Sequence, residues 1–580
     1  MLDTILLVIA AVVVISLATA FGPRVKVAGP LVLVAIGLGV SLLPFVPAVD
    51  VPPDVILVGI LPPLLYSAAV QLPAVEFRRD FGPIGGLSVL LVVVSSIVLG
   101  VFFAWVIPGL GLALGIALGA ILSPTDAVAT SIARRLGLAP RVVTLLEGES
   151  LLNDATALVL LRTAIAAIAG GFSFADTAGQ FGWAVLLALV VGGAVGWINL
   201  RVRSWVAHSA ANTALSFTVP FVAYLPTEHL GGSGLVAAVV AGIVTGQGAA
   251  RRFTPEERMS DRLNWRTIEL LLEGAVFLVM GLELKEIVSR NLARDLGLWQ
   301  GVGLALTALG IVLVVRGLYV AGLIWVQGRR SHGRHRARGR VEAMDGRLDR
   351  FEARLESDPT LGGRTSADSP HPRRRLEAGR TRLRRMVADL DYYRDSPLGW
   401  RHGTVIVWAG MRGVVTLAAA QTLPRETVER PLLIFVAFLV AVFSLLLQGL
   451  TLPALVRILG LHRSSHEGPN AAEQQELSNE LRTAAGEAVA SGHLSHRDGK
   501  PFPETMVRLV GARMTEAPDD ETDARTHDML ELRLAIIGVM RERLNELTRD
   551  GRYSTAALRH ALAELDADQL SLELRVDPEG

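Results

Sequence analysis

Glu147-Gly148-Glu149-Ser150-Leu151-Leu152-Asn153-Asp154 opens an apolar run that continues to about residue 169. A carboxylate inside a run of membrane length is costly and by default marks an ion or proton path. In a helix Glu147, Ser150 and Asp154 are spaced i, i+3, i+7 and share one stripe, with Glu149 and Asn153 on a neighbouring one. At 1.5 Å per residue from a start near 142, Asp154 lies roughly 18 Å in, close to the middle of a bilayer.

Working outward, similar runs fill the chain. Of 580 residues 51% are hydrophobic, too many for an ordinary soluble enzyme. The runs have the length of helical membrane spans and lack strict alternation, so they predict helices rather than a barrel. About 13 spans are expected, near 2–20, 26–47, 53–70, 83–107, 111–133, 142–169, 179–198, 209–226, 232–249, 266–284, 298–326, 402–421 and 431–458. The fold class is therefore an all-α polytopic membrane protein. There is no cysteine, which excludes disulfides, thiolate metal sites and cysteine nucleophiles. Neither HExxH nor GxSxG occurs, and no glycine pair carries a phosphate-loop lysine. The chain reads as a transporter rather than an enzyme, with no resident cofactor and no nucleic-acid partner.

Charge bias sets an expected orientation. Arg24/Lys26, Arg78/Arg79, Arg134/Arg135/Arg141, Arg201/Arg203 and Arg251/Arg252/Arg258/Arg262 fall in alternate loops, and the loops between them near 48–52, 108–110, 170–178 and 227–231 have no Lys or Arg. The positive-inside rule puts the amino terminus outside and the carboxyl terminus in the cytoplasm of a cell-membrane protein. The first run has Asp3 ahead of it and its basic residues behind, the wrong polarity for a signal peptide, so it is read as a retained helix. Four regions follow: membrane domain 1–326, a cytoplasmic insertion 327–401, two further spans in 402–458, and a cytoplasmic tail 459–580. Apolar steps from Val341 to Leu355 and from Leu376 to Leu390 predict two helices in the insertion, as an antiparallel hairpin. Its arginine run, Arg329 to Arg340, suits a solvated anchor or anionic lipid. The tail predicts an amphipathic helix around Met529–Leu547.

Two spans look interrupted. Leu122-Ser123-Pro124-Thr125-Asp126-Ala127 places a proline in the fifth, and Gly410-Met411-Arg412-Gly413 interrupts the twelfth. Broken helices at membrane depth are tolerated where they line a cavity or bind an ion, and a pair of them points to an inverted-repeat transporter site. Asp126, Asp154, Arg316 and Arg412 all come to similar depth. For Glu149, Arg316 and Arg412, helix-holding ion pairs are as good a reading as a transport role. Arg162 and Glu283 read as structural charges.

SPTDAVAT, GESLLNDATALVL and GMRGVVTLAAA, in this order and on these spans, resemble the monovalent cation:proton antiporters, in the branch of sodium/proton exchangers. The tenth-span Glu273-Gly274-Ala275-Val276-Phe277 is similar to the bacterial members. The resemblance covers about residues 1–460 without the insertion. It implies the inverted-repeat antiporter fold with two crossing broken helices, working as a homodimer whose six-helix core moves. It implies Asp154 as the residue that binds cation and proton in turn, with Ser150 and the main chain at Thr125 completing a sodium shell. Asp126 and Asn153 would steady the broken helix, Glu149 would pair with Arg316, and Arg412 would sit near Asp126 and the helix break, held by Asp126 and by carbonyls there. Glu273 and Ser67 are secondary candidates; many members have an acid where Ser67 follows Pro62-Pro63-Leu64-Leu65-Tyr66. The expected cargo is Na+ and H+, with Li+ and K+ as further possibilities, and the alternatives are a K+/H+ antiporter, a cation channel or a solute symporter. No repeated carbonyl filter of a channel is visible.

Overall fold

The computed structural model of the chain describes residues 2–25, 29–44, 51–170, 174–206, 208–292, 298–357, 386, 392–393 and 396–461, with short pieces of the carboxyl-terminal region between 483 and 572. Every regular element among them is helical. In order they are α1 (Leu2–Val25), α2 (Gly29–Ser41), a π-helical stretch (Val55–Ile60) leading into α3 (Leu61–Gln71), α4 (Ala74–Arg79), α5 (Phe81–Gly85), a second π-helical stretch (Gly86–Leu90) leading into α6 (Leu91–Val106), α7 (Gly111–Leu122), α8 (Val128–Arg135), α9 (Pro140–Gly170), α10 (Phe174–Arg203), α11 (Ser209–His229), α12 (Gly234–Arg252), α13 (Pro255–Leu282), α14 (Leu284–Leu292), α15 (Leu298–Ser357), α16 (Trp400–Trp408), α17 (Val414–Gln421) and α18 (Arg430–Ile458).

Among the described residues five helices are long and apolar enough to cross a membrane: Phe81–Val106, Pro140–Ile168, Gly179–Arg203, Leu298–Arg329 and Arg430–Ile458. Shorter apolar helices cover Val8–Phe21, Gly29–Ser41, Val55–Gln71, Gly111–Leu122 and Gly234–Ala249. This is a multi-pass helical membrane protein. The stretch before α3 has a local cause: Pro62 and Pro63 supply no N–H, and the Leu61 amide reaches back to Ile56 O, one residue further than in an α-helix.

The chain divides into two units, Met1–Ser464 and Ser465–Gly580. Within the first, α6, α7, α9 and α15–α18 pack mainly with one another, and α1–α3 with α10–α13 form a second bundle. The apolar α18 is the most enclosed of the five long helices, with Phe435, Val436 and Phe438 buried among its neighbours. α15 differs from the expected layout: it runs unbroken from its membrane span into the first part of the insertion. The insertion's linker and nearly all of its expected second helix lie outside the described residues. In the second unit Leu530, Leu534 and Ile537, spaced as one helix face, pack with Leu565 and Leu572; most of the helix expected at Met529–Leu547 also lies outside the described residues.

Candidate functional site

The two interruptions fall at the expected places and touch. α7 stops at Leu122 and α8 begins at Val128; α16 stops at Trp408 and α17 begins at Val414. Between them Asp126 N donates to Met411 O at 2.7 Å, joining the two unwound segments through their main chains. A helix that ends inside a protein leaves carbonyls without partners, at its negative end. Arg412 answers this: its Nε donates to Leu122 O at 3.1 Å and its Nη1 to Gly410 O, one carbonyl from each break. Its own amide donates to Ser444 Oγ on α18 at 2.9 Å. Of the partners expected for Arg412, the carbonyls at the helix breaks are engaged, whereas no ion pair joins it to Asp126 among the described residues.

Asp126 is held by main chain. Val128 N donates to Asp126 Oδ1 at 3.0 Å, and Asp126 Oδ2 lies against Gly413 at the amino-terminal end of α17. A Cβ on Gly413 would fall 1.3 Å from that oxygen, and one on Gly410 would fall 2.7 Å from Arg316 Nε. The two glycines of the GMRG motif are therefore needed for close approach of a carboxylate and of a guanidinium.

Arg316 of α15 forms a bidentate pair with Glu149, Nη1 to Oε1 and Nη2 to Oε2 at 2.8 Å, and Nε and Nη2 both donate to Ile406 O, at 3.0 and 2.9 Å. From Glu149 a chain of hydrogen bonds reaches the first break. Thr125 Oγ1 donates to Glu149 Oε1 at 3.4 Å, and Asn153 Nδ2 donates to Thr125 Oγ1 at 2.7 Å and to Thr125 O at 3.4 Å. Glu149 and Asn153, the neighbouring stripe of α9, thus face the protein.

The other stripe faces a cavity of about 260 Å³ between the two bundles. Glu147, Ser150 and Asp154 line it from α9, Thr125 and Asp126 from the break, and Gln71, Glu269 and Glu273 from α3 and α13. Asp154 is 7% exposed and makes no hydrogen bond or ion pair among the described residues. Ser150 Oγ lies one turn away and is equally unengaged. Carboxylate, hydroxyl and the Thr125 carbonyl are oxygen donors of the kind a hard monovalent cation takes. No group of three His, Cys, Asp or Glu fit for a resident metal occurs among the described residues. At one end of the cavity Arg134 pairs with Glu147 on the surface. Ser67 is buried one turn before Gln71, whose Nε2 donates to Ser67 Oγ at 3.4 Å. Arg162 pairs with Glu228 at 2.6 Å, and Glu283 accepts from Val51 N and Gln421 Nε2 at 3.2 and 2.9 Å.

One cluster had no warning in the sequence. Asp80 and Arg141, 0% and 3% exposed, pair at 2.8 Å where α5 meets the foot of α9. The segment that ends the insertion covers them. Tyr392 Oη donates to Asp80 Oδ2 at 2.9 Å, Arg141 Nη1 donates to Ser396 O at 2.6 Å, and the Tyr393 ring lies 4.8 Å from the Arg141 guanidinium carbon. Burial, with the Asp80 carboxylate beside it, pushes the Tyr392 hydroxyl well above the ordinary tyrosine range, so it stays a donor.

The family model described as "Sodium/hydrogen exchanger, transmembrane" matches residues 8–342 and 381–458. The uncharacterized Na(+)/H(+) exchanger YjcE of Escherichia coli is 28% identical over 563 residues, 93% of this chain and 92% of that one. The Na(+)/H(+) antiporter ApNhaP of Aphanothece halophytica is 27% identical over 502 residues, 85% of this chain and 80% of that one. Among solved structures, the sodium proton antiporter MjNhaP1 of Methanocaldococcus jannaschii has a TM-score of 0.54 at 18% identity, covering 80% of this chain and 100% of that one, a likeness of fold.

Proposed function

Because this chain belongs to the sodium/hydrogen exchanger family, we propose that it exchanges Na+ for H+ one for one, by alternating access at Asp154. The observation that carries this reading is a membrane-buried carboxylate without a protein partner, facing a cavity beside two crossed helix breaks. A bare carboxylate in such a place is costly, by several kcal/mol after relaxation. A proton or a sodium ion relieves that cost equally well, and only the neutralised site can cross. Exchange follows from this alone. On the bundle that carries the helix breaks, Asp126 is engaged by main chain, Glu149 by Arg316 and Glu147 by Arg134, which leaves Asp154 as the group there that cycles.

The bundle of α6, α7, α9 and α15–α18 carries the site and is the part that moves. Two copies associate through the other bundle, as the resemblance implies. The end of the cavity at Arg134 and Glu147 is the cytoplasmic one by the positive-inside rule. At the other end of α13 Glu283 accepts from Gln421 at the end of α17.

The test is a liposome assay with a trapped pH dye, adding sodium, lithium and potassium in turn. Sodium should dequench the dye in the wild type and leave Asp154→Asn silent, because an amide accepts neither the proton nor the cation's charge. A responsive Asp154→Asn protein would overturn the assignment.

A further inference from the structure

The cluster at the foot of α9 meets the insertion at both of its ends. Arg141, the second residue of α9, donates through Nη1 to Ser396 O at 2.6 Å, and its Nη2 lies 3.5 Å from Gln327 Oε1. Gln327 opens the insertion and Ser396 lies close to its end. Two tyrosines complete the contact. Tyr392 Oη donates to Asp80 Oδ2 at 2.9 Å, Tyr393 Oη donates to Arg79 O, and the Arg79 guanidinium carbon lies 5.0 Å from the Tyr392 ring centre.

A guanidinium in the first turn of a helix lies at the wrong end of the helix dipole, and a buried one needs its donors answered. Asp80 takes Nε and Nη2, at 3.0 and 2.8 Å, and the Ser396 carbonyl takes Nη1. Tyr392, Tyr393 and Ser396 are only partly buried, and they are held here by hydrogen bonds and ring contacts. The Asp80–Arg141 pair stays made if they leave, so water can take their place without a charge being stranded. The end of the insertion is therefore an element that can be seated or lifted.

Its position bears on the transport site. α9 runs unbroken from Pro140 to Gly170, so the foot and Asp154 share one helix, with Asp154 roughly 20 Å further along. α16, which leads into the second break, begins at Trp400, shortly after Ser396. Asp80 opens α5, which continues into α6. The seated segment thus joins the ends of three elements at one point.

We propose that the end of the insertion, Tyr392 to Ser396, is a strap that ties the foot of α9 to α5 and to the root of α16, and that exchange is fast only while it is seated. Seated, these helices move as one body and carry Asp154 with them. Lifted, α9 shifts against its neighbours and the movement is taken up inside the bundle. The insertion is in this way a control element, and the inference rests on the exchanger reading for the activity it controls.

The test uses the full-length protein carrying Tyr392→Ala/Tyr393→Ala. The chain has no cysteine, so Ser396→Cys, which leaves the main-chain carbonyl in place, reports seating by its rate of reaction with a soluble maleimide. Adding the two tyrosine changes should raise that rate at least several-fold. In liposomes the tyrosine double variant should exchange at least several-fold more slowly at saturating sodium. The sodium concentration for half-maximal exchange and the melting temperature should stay at their wild-type values. Tyr392→Phe, which keeps the ring and loses only the hydrogen bond to Asp80, should fall between. An unchanged maleimide rate, or unchanged exchange despite faster labelling, would overturn the strap. Slower exchange with a lowered melting temperature or a raised sodium requirement would overturn it too, by making the tyrosines merely structural. A wild type in which sodium moves no protons would instead overturn the exchanger reading, and the labelling comparison would still decide whether the tyrosines seat the strap.

Discussion

At position 413 a single methyl group would fall on a carboxylate oxygen. Gly413→Ala must therefore push Asp126 off the end of α17, and overpacking of this kind costs about 1–3 kcal/mol. Thermal unfolding in detergent should show that loss, together with reduced exchange; a variant as stable and active as wild type would mean that Asp126 is not seated there. Arg412 answers one carbonyl from each break. Arg412→Ala leaves two helix ends unanswered and removes charge-assisted hydrogen bonds worth about 1.5–3 kcal/mol each. Arg412→Lys keeps the charge but cannot span Leu122 O and Gly410 O with a planar fork, so it should fall between alanine and wild type in yield and exchange. Equal behaviour of lysine and arginine would show that charge alone matters. These residues also show what a sequence can disclose. Asp154, Ser150 and Glu147 were legible because helical spacing places them on one stripe. For Arg412 the carbonyls of the breaks were legible but the absence of an ion pair with Asp126 was not, because which of two nearby groups answers a guanidinium depends on side-chain geometry that spacing does not contain.

At the scale of elements the two broken helices were readable, since proline and paired glycines act on their own turn of backbone. Their crossing is held from α15, through a pair separated by 167 positions in the chain, Arg316 with Glu149. Both are buried, so Glu149→Gln leaves a guanidinium uncompensated, at a cost of about 3–5 kcal/mol. Yield and melting temperature should drop sharply for Glu149→Gln and hardly for Arg425→Ala, an exposed position; comparable values would make the pair dispensable. The Asp80–Arg141 cluster was invisible in the sequence because its parts come from α4–α5, the foot of α9 and the end of the insertion. Each looks like an ordinary loop charge until the fold buries it.

For the whole molecule the orientation rests on charge bias. The chain has no cysteine, so cysteines introduced singly at Arg135, Gly171 and Arg252 are unique labels. An impermeant reagent on intact cells should reach only position 171, and labelling at 135 or 252 would invert or break the topology. The central claim is that a single carboxylate, Asp154, carries sodium and the proton in turn. One group that takes one of two single charges moves no net charge per cycle. The most direct measurement is sodium-driven exchange in liposomes with the membrane potential clamped by potassium and valinomycin. The account predicts the same rate and the same end-point pH at every potential. Sodium uptake driven by the potential, or an end point that shifts with it, would contradict it.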